Sequence, residues 1–402
     1  MLLIVPQTFP KALDMARAPK DDDVEKPLSD QIEGAPHPSQ TEQLFGQSHA
    51  ETDFLDAFNS GRMHSGWMIT GPRGVGKATL AWRMAAFLLS QPLVAADDMF
   101  GAPPPPETLD VDPEHPDIRH LRAGAHPRLF VVRRVLNATE TGFQDQITMA
   151  ALRGHKDGPN KLMDFLHQSA TDGGRRVIII DAADDMNPSV ANSILKVLEE
   201  PPKYTYFLLV SHQPSRLLPT IRSRCRLLRC GFLDAADVGQ ALEQAEVHTD
   251  GSESLAALSG GSVGEAIRLT NLDGLTIYSD LVGLMGGLPR FDRPRALRLA
   301  DSCTGKAGAT RFALVLDLID RFLARLARAG LEGPPSVQAS QGEALLLSRL
   351  SPHDVAARKW ATLQQEVSES TRHGKAVNLD PAALILDTLF KIEKVAQDVA
   401  HT

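Results

Sequence analysis

The sequence predicts a parallel α/β sheet domain of the phosphate-loop type, followed by a small helical region and a longer helical one. Three observations carry this expectation. The short apolar run GWMIT leads directly into the glycine-rich GPRGVGKAT (Gly71–Thr79) and then into residues with helical spacing. Two further apolar runs, RRVIIID and YTYFLLVS, are continuous rather than alternating, as expected of strands covered on both faces. Beyond about residue 230 such runs cease and helical patterns dominate.

At 402 residues the chain exceeds one ordinary core and predicts two or three domains. Apolar residues make up 43% and charged residues 23%, and apolar runs break well before membrane-spanning length, which points to a soluble globular class. The N-terminal apolar stretch stops at Pro6 and has no basic region ahead of it, so a cytoplasmic protein is expected. Three cysteines, Cys225, Cys230 and Cys303, support neither a disulfide framework nor a thiolate zinc site. The formal charge of -8 argues against a wholly basic nucleic-acid binder and leaves room for a local basic patch.

Each element follows from its residues. Residues 1–40 mix Pro, Asp and Gln with weak periodicity and read as a loosely ordered, flexible extension. Phe54, Leu55 and Phe58 form a helical stripe that ends at Gly61. GWMIT is a buried strand, and the helix from Lys77 to Ser90 turns Leu80, Met84, Phe87 and Leu88 inward. Pro92 and the run Pro103–Pro106 mark an excursion from the regular fold. RLFVVRRV (128–135) is the next strand, and ITMAAL and LMDFLHQSA are helical around the polar turn RGHKDGPN. Asn187 and Pro188 open a helix as N-cap and first helical residue, with Val190, Ile194 and Val197 or Leu198 facing inward. CRLLRC is a last short strand. The expected divisions are therefore 1–40, an α/β domain over 41–230, a small helical domain over 231–272, and a helical bundle over 273–402.

The chemistry concentrates in two motifs. Backbone N–H groups around Gly71, Gly74 and Gly76, with a helix N-terminus, make an anion cradle, and Lys77 would reach the β- and γ-phosphates of a nucleotide. The next residue should bring a hydroxyl to Mg²⁺, but it is Ala78. Thr79 has a hydroxyl, yet it is rotated about 100° around the helix, where capping or packing suits it. In VIIIDAADD, Asp181 ends the buried strand at the metal-organising place. Ala182 follows where an active enzyme needs a carboxylate to orient water. Asp184 and Asp185 come later and suit a solvated turn or the cap of the next helix; rescue of catalysis by Thr79 and Asp184 is the competing reading. Two missing parts in one reaction centre predict a weak or vestigial nucleotide site.

GPRGVGKAT, VIIIDAADDMNPSVANSILKVLEEPP and LPTIRSRC, in that order and spacing, resemble the AAA+ clamp-loader family of bacterial DNA polymerase III, in particular its delta-prime branch. The resemblance covers about residues 40–395, more loosely toward the C-terminus. It implies an AAA+ domain with a helical lid and a C-terminal collar, in an open five-membered ring that loads a sliding clamp onto primed DNA. It implies partners as well: ATP-hydrolysing subunits of gamma/tau type, a clamp-opening delta subunit, the clamp and DNA, and no membrane. On this resemblance Arg224, in Ser223-Arg224-Cys225, is an arginine finger acting in trans on a neighbour's ATP. The plain alternative is that Arg224 pairs with a surface acid. No intrinsic ATPase or polymerase activity is expected, and no cofactor is required beyond weak ATP or ADP binding; an active AAA+ ATPase of replication or repair is the alternative. Two departures stand out. Gly264, in GGSVGEAIR, occupies the place of a nucleotide-sensing arginine, with Arg268 one turn later. The region 91–127 lacks the four cysteines of a zinc module, and the irregular His115, Asp117, His120 and His126 predict no zinc.

Overall fold

The computed structural model describes residues 27–93, 104–140, 142–153, 161–167, 174–249, 251–376 and 379–401. The helices expected over ITMAAL and LMDFLHQSA appear within that range, whereas most of the turn between them and residues 1–26 lie outside the described residues.

Five parallel strands form one sheet: β1 (Gly66–Thr70), β2 (Leu129–Arg133), β3 (Arg176–Asp181), β4 (Thr205–Ser211) and β5 (Arg226–Arg229), in the order β2-β3-β4-β1-β5. Side chains alternate between the faces of a strand, so each continuous apolar run feeds two cores. Trp67, Ile69, Val177, Ile179, Leu208 and Val210 enter one core. Met68, Ile178, Ile180, Phe207 and Leu209 enter the other.

Helices cover both faces. α1 (Ser48–Asn59) and α2 (Lys77–Ser90) contribute Phe54, Leu80, Met84 and Phe87 to the first core. α3 (Pro116–Arg122), α4 (Met149–Arg153), α5 (Lys161–His167), α6 (Pro188–Glu199) and α7 (Pro219–Arg222) follow in chain order. Asn187 Oδ1 accepts from Val190 N at 2.9 Å, the cap expected for α6, and Val190, Ile194, Val197 and Leu198 are buried. The proline-rich excursion does not stay outside the fold: Ile118 and Leu121 of α3 are buried. Asp117 is held there by His126 Nε2 at 3.0 Å and Arg128 Nη2 at 2.9 Å.

The rest is helical: α8 (Ala235–Gln244), α9 (Ser252–Ser259) and α10 (Val263–Asn271), then α11 (Gly274–Met285), α12 (Arg293–Asp301), α13 (Gly305–Glu332), α14 (Glu343–Leu350), α15 (Asp354–Ala376) and α16 (Pro381–Ala400). The 28-residue α13 is the spine of this region. Buried Glu343 accepts from Arg325 Nε at 2.7 Å and from Tyr278 Oη at 2.5 Å, so the charge removed from water is fully engaged. Arg325 and Arg321 of α13 also donate to the carbonyls of Ala257 (3.2 Å) and Leu258 (2.8 Å), joining α9 to the spine.

The expectation of a loose extension over 1–40 is corrected for residues 27–40. Asp30 is bonded to Arg133 on β2, and His37 is buried beside Trp82. Long-range polar contacts order this segment, and such contacts leave no periodicity for a sequence to display.

Candidate nucleotide site and surface arginine

The phosphate loop sits at the C-terminal end of β1, where open parallel sheets bind ligands. Gly71, Gly74 and Gly76 take positive φ values of 148°, 73° and 94°. Lys77 is buried, and its ammonium turns back on the loop, donating to Gly71 O at 2.8 Å and to Pro72 O. Burial lowers its pKa from 10.5 to about 8, against the opposing pull of neighbours that include Asp181 and Asp184. Asp181, at the end of β3, is enclosed. Burial raises its pKa to about 7, with the nearby Asp30 carboxylate adding to the shift. Ala78, which lines the same cleft, brings a methyl where a hydroxyl ligand for Mg²⁺ was expected.

Asp184 has a different role from either reading of a free acid. It accepts from Ser211 Oγ at 2.6 Å, from Gln213 N at 3.1 Å and from His212 N, tying the start of the β3–α6 connection to the end of β4. Oδ1 is thereby engaged by a side-chain hydroxyl and Oδ2 by two backbone amides. Asp185 faces Arg134 at 3.4 Å. His212 lies in the same cleft, and burial followed by the cations of Lys77 and Arg73 lowers its pKa to about 4. Sequence reasoning missed Ser211 and His212; the signal was a polar pair ending an otherwise apolar buried strand.

The start of α10 presses on the phosphate loop. Gly264 N donates to Gly74 O at 3.0 Å, and Ser262 Oγ donates to Arg73 O at 2.9 Å. A Cβ at Gly264 would stand 2.9 Å from Gly74 Cα, so any side chain there would push the helix off the loop. Gly264, which the resemblance sets at the place of a nucleotide-sensing arginine, makes a backbone contact. Arg268 is occupied elsewhere, with Glu265 and with Asp317 at 2.6 Å. The cleft that remains, about 330 Å³, lies between the loop, α8, α10 and the segment before α1.

Arg224 stands apart from this cleft. It follows α7 and precedes β5, and its carbonyl lies next to Gly66, the first residue of β1. The five residues of β1 therefore separate it from the phosphate loop, about 16 Å at the strand rise. Its guanidinium is partly exposed, contacts Glu199 Oε1 at 2.9 Å and donates to Thr220 O at 3.0 Å. The surface-acid pairing is thus present, and the structure does not bring Arg224 together with Gly71, Gly74, Gly76, Lys77 and Asp181.

Comparison with known proteins fits this geometry. A family described as DNA polymerase III, delta subunit, matches residues 46–232. A DNA polymerase III subunit delta' of Pseudomonas aeruginosa is 38% identical over 205 residues, 50% of this chain and 55% of the relative. A subunit tau of Escherichia coli is 26% identical over 284 residues, 68% of this chain and 39% of the relative. The chain thus spans about half or less of the length of the curated relatives it matches. A solved gamma subunit-related protein of Thermotoga maritima covers 86% of this chain and 100% of its own, at 15% identity and a TM-score of 0.42, a likeness too slight to carry any argument. Over residues 46–232 the chain is thus similar to the family described as DNA polymerase III, delta subunit, and over about half its length to delta' subunits.

Proposed function

We propose that this chain is a non-hydrolysing, delta-prime-type member of a DNA polymerase III clamp loader, and that it offers Arg224 to ATP held by a neighbouring subunit of gamma/tau type. The observation that carries the reading is the separation along β1. An arginine about 16 Å from its own phosphate loop acts on another chain's nucleotide or on none. Its pairing with Glu199 is between two exposed groups, the kind of contact worth well under about 1 kcal/mol, so a triphosphate can displace the carboxylate at little cost. In the chain's own cleft, methyls of Ala78 and Ala182 stand where a hydroxyl ligand for Mg²⁺ and a water-directing carboxylate were expected, and Asp184 is engaged with the end of β4.

Ring opening, clamp binding and loading onto primed DNA are then properties of the assembly. The chain's part is to complete a neighbour's active site from a fixed position. The test is reconstitution with hydrolysing partners, comparing wild type with Arg224→Ala for clamp-stimulated ATP hydrolysis. An assembled complex that hydrolyses at an unchanged rate would remove the proposed role. Vigorous Mg²⁺-dependent turnover by the pure chain, abolished by Lys77→Ala, would instead establish an ATPase in its own right.

A further inference from the structure

The segment from Pro27 to Gly46 is fastened to both walls of the phosphate-loop cleft. On the sheet side, Asp30 has a fully buried side chain (0% exposed) and accepts from Arg133 Nη1 at 2.9 and 3.1 Å. His37 Nε2 lies 3.2 Å from Asp30 Oδ2. Arg133 stands opposite Asp181 in the β2–β3 register, so this clasp sits over the C-terminal strand ends where the site opens. His37 is anchored in turn: its Nδ1 accepts from Ser39 N at 3.1 Å, and its ring meets Trp82 of α2 edge-on at 5.3 Å. Arg83 of α2 donates to Glu42 O at 2.6 Å.

The other wall is helical. Asn271, at the end of α10, donates to Glu33 O at 2.6 Å. Gln244 of α8 and the backbone of Gln43 exchange two hydrogen bonds, of 2.8 and 3.0 Å. Ile32 lies against Gly264, which itself bonds the phosphate loop. The segment therefore spans from strand end to helix end across the same cleft, and its Asp30 brings a carboxylate toward Asp181, where an incoming phosphate would meet it. A buried carboxylate with its arginine is costly to separate, whereas the amide contacts at the rim are exposed.

We propose that residues 27–46 are an intrachain strap that shuts the phosphate-loop cleft and fixes α10 against the loop, so that the cleft opens only when the Asp30 clasp and the rim contacts release. The occupant of the cleft mouth is this chain's own segment. The proposal is independent of Arg224 and is tested on the full chain alone. Amide hydrogen exchange is compared between wild type and the double variant Asp30→Ala, Asn271→Ala. Peptides covering 71–80 and 262–267 are expected to exchange about tenfold faster in the variant, with β3 and β4 unchanged. Unaltered exchange at 71–80 beside a deprotected 27–46 would overturn the strap. Should the variant lose protection in β3 as well, the pair Asn271→Ala, Gln244→Ala makes the same comparison at the rim, with the same two outcomes.

Discussion

At the C-terminal end of β1 the Lys77 ammonium is buried and bonded to its own loop, whereas at the N-terminal end Arg224 is 36% exposed and held by one surface carboxylate and one carbonyl. Both are cations of the kind that meets a nucleotide phosphate, and a single strand separates them. The buried one donates to two carbonyls of its own loop, and the start of α10 packs on that loop. The exposed one has partners that a stronger anion can replace. A positive charge retains value for another molecule when its own chain binds it weakly. The difference teaches that two cations at opposite ends of one strand can differ in availability: one is turned into its own loop and the other is left at the surface, which is why the proposed function rests on the second.

The largest expected effect breaks the comparison at its exposed end. In a reconstituted complex, Arg224→Ala should lower clamp-stimulated hydrolysis by about 10³-fold or more, the range for a trans arginine in phosphoryl transfer. The same variant should shift the chain's own unfolding midpoint very little, because only a surface pair is lost. Steady-state hydrolysis and urea unfolding measure the two halves.

Next comes Asp184→Ala, which should destabilise the chain by about 2–4 kcal/mol, since the Ser211 hydroxyl and the backbone amides of His212 and Gln213 lose their acceptor. If Asp184 were a catalytic rescue, the variant would unfold normally and lose turnover instead.

The buried end also predicts a pH signature. Folded Asp181 keeps its proton to about pH 7 while the unfolded carboxyl loses it near 3.8, so this group makes stability fall as pH rises through that window. Folded Lys77 loses its proton near 8 and the unfolded amine near 10.5, so stability rises with pH between those values. At about 1.4 kcal/mol per pKa unit, each arm is at most about 3–4 kcal/mol. Urea titrations should lose the acid arm in Asp181→Asn and the alkaline arm in Lys77→Met. An unchanged profile in either variant would show that the group is not enclosed as described.

The smallest expected effect is on the complex itself. Lys77→Ala should leave hydrolysis by an assembled ring within about twofold of wild type, because the lysine makes its contacts within its own loop. A loss comparable to that of Arg224→Ala would erase the distinction between the two ends.

Much of this was legible before any coordinates. The apolar runs at β1, β3 and β4, the cap at Asn187 and the glycine pattern of the phosphate loop are local features whose chemistry is complete within a few residues. Arg224 was found through a motif, but its remoteness from Lys77 needed the sheet. Asp184 read as a turn or capping acid, with rescue as the competing reading, because its actual partners lie 27 to 29 residues away at and just beyond the end of β4. Residues 27–40 carry no sign of their order in the sequence because their anchors, Arg133 and Asn271, are distant in the chain and neither imposes a period.

By itself the sequence determined which chemical parts exist: a phosphate cradle, a methyl at Ala78 and another at Ala182, and an arginine ahead of the last strand. Those are identities, and no folding can supply a hydroxyl or a carboxylate that the chain lacks. Tertiary structure alone decided who touches whom, from Gly264 on Gly74 to Asp30 on Arg133. The walls of the cleft and the exposure of Arg224 depend on the packing of residues far apart in the chain, and the pKa shifts of Lys77 and Asp181 follow from burial there.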